Sequence, residues 1–155
     1  MSTELYMTES AAESFQLATL LGIVSQLYST RMNTLLRPHG FTLAQFALLN
    51  HLANVKSQSI TELTQAMEIN QPGVTKIIQK FEREAWVTVS PDPKDSRKKQ
   101  ISISEAGQQH ILTVGAALFP DVKNWFADWD SSQKAQFRQQ LASFAGWLDE
   151  NRLTP

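Results

Sequence analysis

The sequence predicts a mostly α-helical fold that contains one small β-hairpin. Apolar residues recur every three or four positions through most of the 155-residue chain, which is the spacing of helices with one buried face. Between residues 87 and 103 the spacing changes to period two, which is typical of short strands, and turn-forming residues interrupt it midway. The predicted order is four helices, a hairpin and two more helices. The length fits a single domain over residues 1–155.

The first helix is predicted from Glu13 to Leu36. Its apolar residues follow at three- and four-residue steps and form one stripe. They are Phe15, Ala18, Leu21, Val24, Tyr28, Met32 and Leu35. Pro38 and Gly40 end the helix, because proline cannot continue the hydrogen-bond ladder and glycine relaxes the turn.

Three polar residues mark the starts of the next three helices. Thr42 and Ser59 are each followed three positions later by glutamine or glutamate, which predicts a capping box at each. Asn70 predicts a third N-terminus, with Pro72 in the first turn, where a missing N–H costs nothing. The helix after Asn70 runs to about Ala85, with apolar residues on one side and polar and basic residues on the other. Two short helices joined by a tight turn are typical of a helix-turn-helix.

A β-hairpin with a long basic tip follows. Its strands are predicted at residues 87–89 and 100–103, and residues 91–98 supply the prolines, aspartates and basic groups of the tip. A hairpin directly after a helix-turn-helix makes the unit winged. The winged helix-turn-helix lobe is therefore predicted over residues 42–103.

Two helices complete the chain. Ser104 caps the first of them, Pro120 is predicted to kink it, and the last helix starts at Asp130 or Ser131. Their apolar stripes include three tryptophans that fit either a core or a partner surface. These are Trp125, Trp129 and Trp147.

Composition excludes several classes of function. The chain has no cysteine, which excludes disulfides, thiolate metal sites and cysteine nucleophiles. The three histidines are scattered without metal-ligand spacing, and no glycine-rich phosphate loop or catalytic motif occurs. We therefore expect no metal, no cofactor and no enzymatic activity. No apolar run reaches the ~18 residues of a membrane span and the N-terminus is polar and acidic, which predicts a soluble cytoplasmic protein.

The distribution of charge indicates a polyanionic partner. The net charge of the chain is −1, but residues 70–99 hold seven basic and four acidic groups, a local charge of +3. A helix fits the major groove of double-stranded DNA, where amide and cationic side chains read base edges. The predicted DNA-contacting residues of this helix are Asn70, Gln71, Thr75, Lys76, Gln79 and Lys80.

The basic hairpin extends the same prediction. A guanidinium suits the narrow minor groove, and lysines neutralise phosphates. The predicted contacts of the wing are Arg97 in the minor groove and Lys94, Lys98 and Lys99 on phosphates. One alternative stays open, in which the same lobe is an adaptor that contacts an acidic protein partner and no DNA.

Three ordered motifs resemble those of MarR-type transcriptional regulators. Residues 40–49 (GFTLAQFALL) resemble the start of that family's second helix. Residues 81–87 (FEREAWV) are similar to its exit from the recognition helix. Residues 95–97 (DSR) and 101–107 (ISISEAG) resemble its wing. The resemblance covers residues 40–107.

The resemblance implies a homodimer that binds pseudo-palindromic DNA and represses transcription until a small phenolic effector relieves it. The dimerisation helices would be residues 13–37 and 104–150, and Asp95 would brace the wing. Arg31 and His51 fall among apolar positions of their helices, which makes them the candidate effector anchors.

The chain departs from the family pattern at two places. Ala85 stands where the family usually has glycine, which predicts a right-handed rather than a left-handed turn there. Val89 and Ser90 replace arginines that are frequent in the first wing strand. The wing is therefore expected to depend on residues 97–99 for its contacts.

Overall fold

The computed structural model describes residues 9–153. The helices of this part are α1 (Glu9–Leu36), α2 (Leu43–Ala53), α3 (Ile60–Met67), α4 (Gln71–Arg83), α5 (Glu105–Asn124) and α6 (Ser131–Glu150). Its strands are β1 (Gln58–Ser59), β2 (Val87–Pro91) and β3 (Lys99–Ile103). A short 3-10 turn, Arg37–His39, joins α1 to α2. The predicted class, mostly helical with a small hairpin, is confirmed.

The chain divides into two compact units between Gly115 and Ala116. The first unit holds α1 to α4, the three strands and the first half of α5, and the second holds the rest of α5 together with α6. Although proline lacks the N–H that a helix interior uses, α5 continues through Pro120 to Asn124.

The core of the first unit is formed by the apolar faces of its helices and of one strand. The side chains that are completely shielded from solvent there are Leu36, Leu48, Leu49, Leu52, Leu63, Val74, Phe81, Ile101 and Val114. Within α2 and α4 they recur at helical spacing, which is the pattern that the sequence shows. Burial of these side chains positions α4 with one face inward and the other outward.

Local hydrogen bonds set where the helices begin. The Thr42 hydroxyl accepts from the backbone N–H of Gln45 at 3.3 Å, and the Gln45 side chain accepts from the N–H of Thr42 at 3.1 Å. Ser59 and Glu62 exchange the same pair of bonds at 3.3 and 2.7 Å. Both predicted capping boxes are therefore present, and they fix the entries into α2 and α3.

The strands form an antiparallel sheet in the order β1-β3-β2. Val87 pairs with Ile103 and Val89 with Ile101, as the alternating pattern predicts. Strand β1 is paired with β3 through Gln58 and Ile101, and the sequence prediction misses it. A two-residue strand has no periodicity of its own, so only the partner strand defines it.

The exit from α4 is a left-handed turn at Ala85, whose φ is +57°. The N–H of Ala85 donates to the carbonyl of Glu82 at 3.0 Å, and the N–H of Trp86 donates to the carbonyl of Phe81 at 2.8 Å. This pair of bonds is a Schellman motif, and the Phe81 and Trp86 rings pack with centroids 5.7 Å apart. The prediction of a right-handed turn is wrong. The backbone bonds and ring packing hold Ala85 in the conformation that glycine usually supplies.

The second unit contains an aromatic cluster between α5 and α6. Trp129 and Phe137 pack edge to face with centroids 5.1 Å apart, and Phe126 lies 5.4 Å from Trp129. The Trp125 indole donates to Asp121 at 2.9 Å. Trp125 is half-buried, whereas 37% of Trp129 and 58% of Trp147 remain exposed despite these contacts.

Candidate nucleic-acid interface

The outward face of α4 presents the polar side chains that the sequence assigns to base reading. The exposed residues on this face are Gln71, Lys76 and Gln79, and Thr75 is half-buried. The opposite face is buried through Val74, Ile78 and Phe81. Because the apolar face is held in the core, the amide and ammonium groups of the polar face are directed to solvent.

Asn70 has a structural task at the start of this helix. Its side-chain oxygen accepts from the backbone N–H of Gly73 at 2.8 Å, which is the predicted N-cap. Pro72 occupies the first turn as expected. Asn70 therefore positions the exposed N-terminal turn of α4, where Gln71 begins the polar face.

The tip of the wing is organised around Asp92, which the sequence prediction does not single out. One carboxylate oxygen of Asp92 accepts from the N–H groups of Lys94 and Asp95 at 2.7 and 3.1 Å. The other oxygen accepts from the Gln100 side chain at 2.6 Å. The bond from Gln100, followed by those from the backbone, lowers the pKa of Asp92. The signal in the sequence was an aspartate two residues before Lys94, the spacing of an Asx turn.

Asp95 contacts Arg97, the residue that is predicted to enter the minor groove. Its carboxylate accepts from the backbone N–H of Arg97 at 3.1 Å and lies 3.6 Å from the guanidinium Nε. The Arg97 side chain is 94% exposed, so its charge remains accessible. The bracing of the wing is thus divided, because Asp92 organises the tip while Asp95 contacts Arg97.

One cleft of about 520 Å³ brings the start of α4 together with the wing. Its basic and amide lining consists of Gln71, Arg97, Lys98, Lys99 and Gln100. Glu62 and Asp92 contribute the acidic part of the lining. The backbone and hydroxyl bonds from Ser59 lower the pKa of Glu62. Lys94 is exposed on the tip but does not line the cleft.

Lys80 is placed differently from the other predicted contacts of α4. Its ammonium group donates to the backbone oxygen of Gly40 and, at 2.9 Å, to the side-chain oxygen of Gln45. The same group lies 5.6 Å from the centroid of the Phe41 ring and 5.9 Å from that of Trp86. Its side chain is half-buried, whereas Lys76, one turn earlier, is exposed.

The candidate effector anchors lie on different helices, Arg31 on α1 and His51 on α2. The His51 imidazole Nε2 lies 2.7 Å from the Gln58 side-chain oxygen, so the ring is engaged with β1. Arg31 is exposed on α1. Three surface clefts of about 520 to 600 Å³ among the described residues are lined by other side chains.

Residues 9–153 contain no group of three or more histidine, aspartate or glutamate side chains with the arrangement of a metal site. No helix in the same range is long and apolar enough to cross a membrane.

Comparison with known proteins supports the interpretation of the lobe. A family model described as "MarR family" matches residues 39–98. The HTH-type transcriptional regulator BilQ of Clostridioides difficile is 22% identical over 102 residues, which is 66% of this chain and 64% of the relative. The chain thus spans less than two thirds of the length of the curated relatives that it matches.

Solved structures show the same fold. A MarR-family transcriptional regulator from Rhodococcus sp. RHA1 superposes with a TM-score of 0.75 at 19% identity, covering 93% of this chain and 96% of that one. A mutant MarR from E. coli complexed with operator DNA gives a TM-score of 0.71 at 19% identity, covering 88% of this chain and 99% of that one. With the three ordered motifs and the winged helix-turn-helix geometry of the lobe, these matches show that the chain has the fold of MarR-type regulators and that residues 39–98 are similar to the MarR family.

Proposed function

We propose that this chain is a sequence-specific transcriptional regulator that binds double-stranded DNA as a homodimer and represses a nearby promoter. The observation that carries the proposal is the cleft that joins Gln71 on α4 to Arg97, Lys98 and Lys99 on the wing. A polar helix face beside a basic hairpin matches a major groove beside a minor groove. The regulators among its relatives and the operator DNA bound by E. coli MarR support the same partner. An enzyme is not proposed, because the family and the relatives are regulators.

Each group of side chains has a distinct task in this proposal. Gln71 and Gln79 read adenine through paired bonds from their amides, and Lys76 reads guanine or contacts a phosphate. Arg97 enters the minor groove, where the potential is most negative. The wing lysines neutralise phosphates, which adds affinity without sequence preference.

The apolar side chains that α1 leaves exposed support a homodimer. They are Phe15, Leu17, Leu20, Leu21, Ile23, Val24, Leu27 and Tyr28. A second exposed apolar group lies on α6 and consists of Leu141, Phe144, Trp147 and Leu148. Groups of exposed apolar side chains are rarely left in water, and a second copy of the chain related by a two-fold axis is the partner that we propose for each of them.

The dimer has a direct test. The variant Ile23→Asp places a charge on the exposed face of α1, and we expect it to sediment as a monomer and to lose DNA binding. Asn50→Asp adds the same charge on an exposed part of α2 and serves as the matched control. A dimeric Ile23→Asp protein would place the interface elsewhere.

Relief by a small phenolic effector is a separate part of the proposal and rests on the family resemblance. We expect one member of a panel of phenolic carboxylates to raise the melting temperature and to weaken DNA binding. If no member of the panel changes either quantity, the effector part of the proposal is wrong, whereas the DNA-binding part is unaffected.

Selection of bound duplexes from a random DNA library tests the main proposal. We expect enrichment of a pseudo-palindrome whose half-sites lie about one helical turn (10–10.5 bp) apart. Arg97→Ala should weaken binding to that site by ~1–3 kcal/mol. Arg138→Ala removes the same charge from an exposed position of α6 and should leave affinity unchanged.

The dependence of binding on salt separates DNA recognition from the adaptor alternative. A dimer that neutralises roughly eight phosphates should show a log–log slope of about −7. No enriched duplex and no salt-dependent DNA binding by the folded dimer would contradict the proposed function. That result would favour the adaptor that contacts a protein.

A further inference from the structure

We infer that Lys80 is a positioning residue of the recognition helix and contacts no DNA phosphate. Sequence spacing places Lys80 one turn after Lys76, on the same side of α4. The structure separates the two, since Lys76 is exposed and the ammonium group of Lys80 donates to oxygens at the start of α2. The DNA-affinity part of this inference rests on the proposed function. The part that concerns the contact of Lys80 with α2 can be tested on the folded protein without DNA.

The acceptors of Lys80 are the groups that define the entry into α2. Gly40 is the left-handed residue that ends the 3-10 turn, with a φ of +77°. The Gln45 side-chain oxygen also accepts from the N–H of Thr42 at 3.1 Å, so it serves the capping box and Lys80 at once. Lys80 thereby connects the last turns of α4 to the first turn of α2 across 35 and 40 residues of sequence.

Two aromatic rings complete the site of the ammonium group. The Phe41 and Trp86 rings lie within 6 Å of it, the range in which a ring face attracts a cation. These rings also pack on each other, with centroids 5.0 Å apart. An ammonium group has three donors, and two of them are used inside the protein. Contact with a phosphate through more than the third donor would require Lys80 to leave at least one of these acceptors.

A positioning role and a phosphate contact differ in their salt dependence. Loss of one phosphate contact makes the log–log slope shallower by about 0.9 whatever the sequence of the DNA, so a homodimer that loses the contact in both subunits shows a change of about 1.8. Loss of a positioning contact misplaces Gln79 and its neighbours, which lowers affinity but leaves the number of neutralised phosphates unchanged. The two interpretations of Lys80 therefore predict different slopes.

The experiment compares Lys80→Met with Lys76→Met by DNA affinity at several salt concentrations and by thermal unfolding and amide hydrogen exchange without DNA. For Lys80→Met we expect affinity to fall on the order of 10-fold with an unchanged slope, a lower melting temperature and faster exchange at the start of α2 and the end of α4. For Lys76→Met we expect an unchanged melting temperature and, where Lys76 contacts a phosphate in each subunit of the dimer, a slope shallower by about 1.8. Lys80→Arg, which retains hydrogen-bond donors and the positive charge, should keep the melting temperature and the DNA affinity of the wild type. Lys80→Gln is the milder variant should Lys80→Met not fold.

Two results would overturn the inference. The first is a slope in Lys80→Met that is shallower by about 1.8 with unchanged stability and exchange. The second is a Lys80→Met protein that matches the wild type in every measurement. Absence of DNA binding by the wild-type protein would contradict the proposed function instead, and stability and exchange would then decide whether Lys80 holds α4 against α2.

Discussion

Replacement of Gly107 by alanine is expected to destabilise the lobe, although alanine is the better helix former. Gly107 lies in the first turn of α5, and a Cβ built on it would fall far inside 3.0 Å of the Trp86 carbonyl oxygen. The same Cβ would lie 2.9 Å from the Ile103 side chain. The Trp86 carbonyl cannot move freely, because it accepts from the backbone N–H of Ser104 at 2.9 Å.

The expected magnitude follows from three opposing terms. Overpacking of a well-filled site costs about 1–3 kcal/mol. Loss of the hydrogen bond between Ser104 and Trp86 costs about 1 kcal/mol. Exchange of glycine for alanine in a helix returns about 1 kcal/mol. The net loss of unfolding free energy is about 1–3 kcal/mol, which lowers the melting temperature by ~2–12 °C in a chain of this length.

The assay is thermal unfolding followed by circular dichroism, with Gly115→Ala as the matched control. Gly115 lies in the same helix, and nothing lies within 4 Å of a Cβ built there. Gly115→Ala should therefore raise stability by about 1 kcal/mol through helix propensity alone. The two variants make the same chemical change and should move the melting temperature in opposite directions.

The reasoning would be refuted if Gly107→Ala matched or exceeded the wild type in stability. Such a result would mean that the Trp86 carbonyl can shift without cost, and that the close approach of α5 to this turn is not required. A Gly115→Ala protein that loses stability would instead point to contacts of Gly115 outside the monomer.

Three further predictions concern the turn after α4 and the wing. Ala85→Gly should raise stability by ~0.5–1 kcal/mol in a urea titration, because relief of a left-handed alanine exceeds the added entropy of glycine in the unfolded chain. Glu84→Gly, at a right-handed position, should lower stability by a similar amount, and equal effects of the two variants would contradict the geometry. Asp92→Asn should loosen the wing tip, which would be measured as faster amide exchange at residues 94–98 and weaker DNA binding. Unchanged amide exchange at these residues would mean that Asp92 does not organise the tip. The pKa values of Asp92 and Glu62 are lowered in the folded protein, so their contribution is complete above about pH 5 and is lost as the pH falls below about 4. An acid titration of stability should show this loss, and Asp92→Asn should reduce it.

The sequence by itself determined the features that depend on near neighbours. A capping box joins residues three positions apart, so Thr42 with Gln45 and Ser59 with Glu62 can be identified from the letters alone. The buried face of α4 follows from helical periodicity, and it leaves Gln71, Lys76 and Gln79 outward. Strands β2 and β3 follow from alternation. These local signals predicted the fold class and most of the residues of the candidate interface.

Only the tertiary structure decided the features that depend on distant partners. Strand β1 exists because β3, some 40 residues later, pairs with it. The left-handed turn at Ala85 overrides the local preference of alanine, since the Trp86 contacts with Phe81 on one side and Ser104 on the other hold the turn. Lys80 is indistinguishable from Lys76 in periodicity, yet its ammonium group reaches Gly40 and Gln45 at the start of α2. The physical reason is the same in each case. Contacts between residues far apart in the chain are formed only when the helices pack, and no pattern of neighbouring residues encodes them.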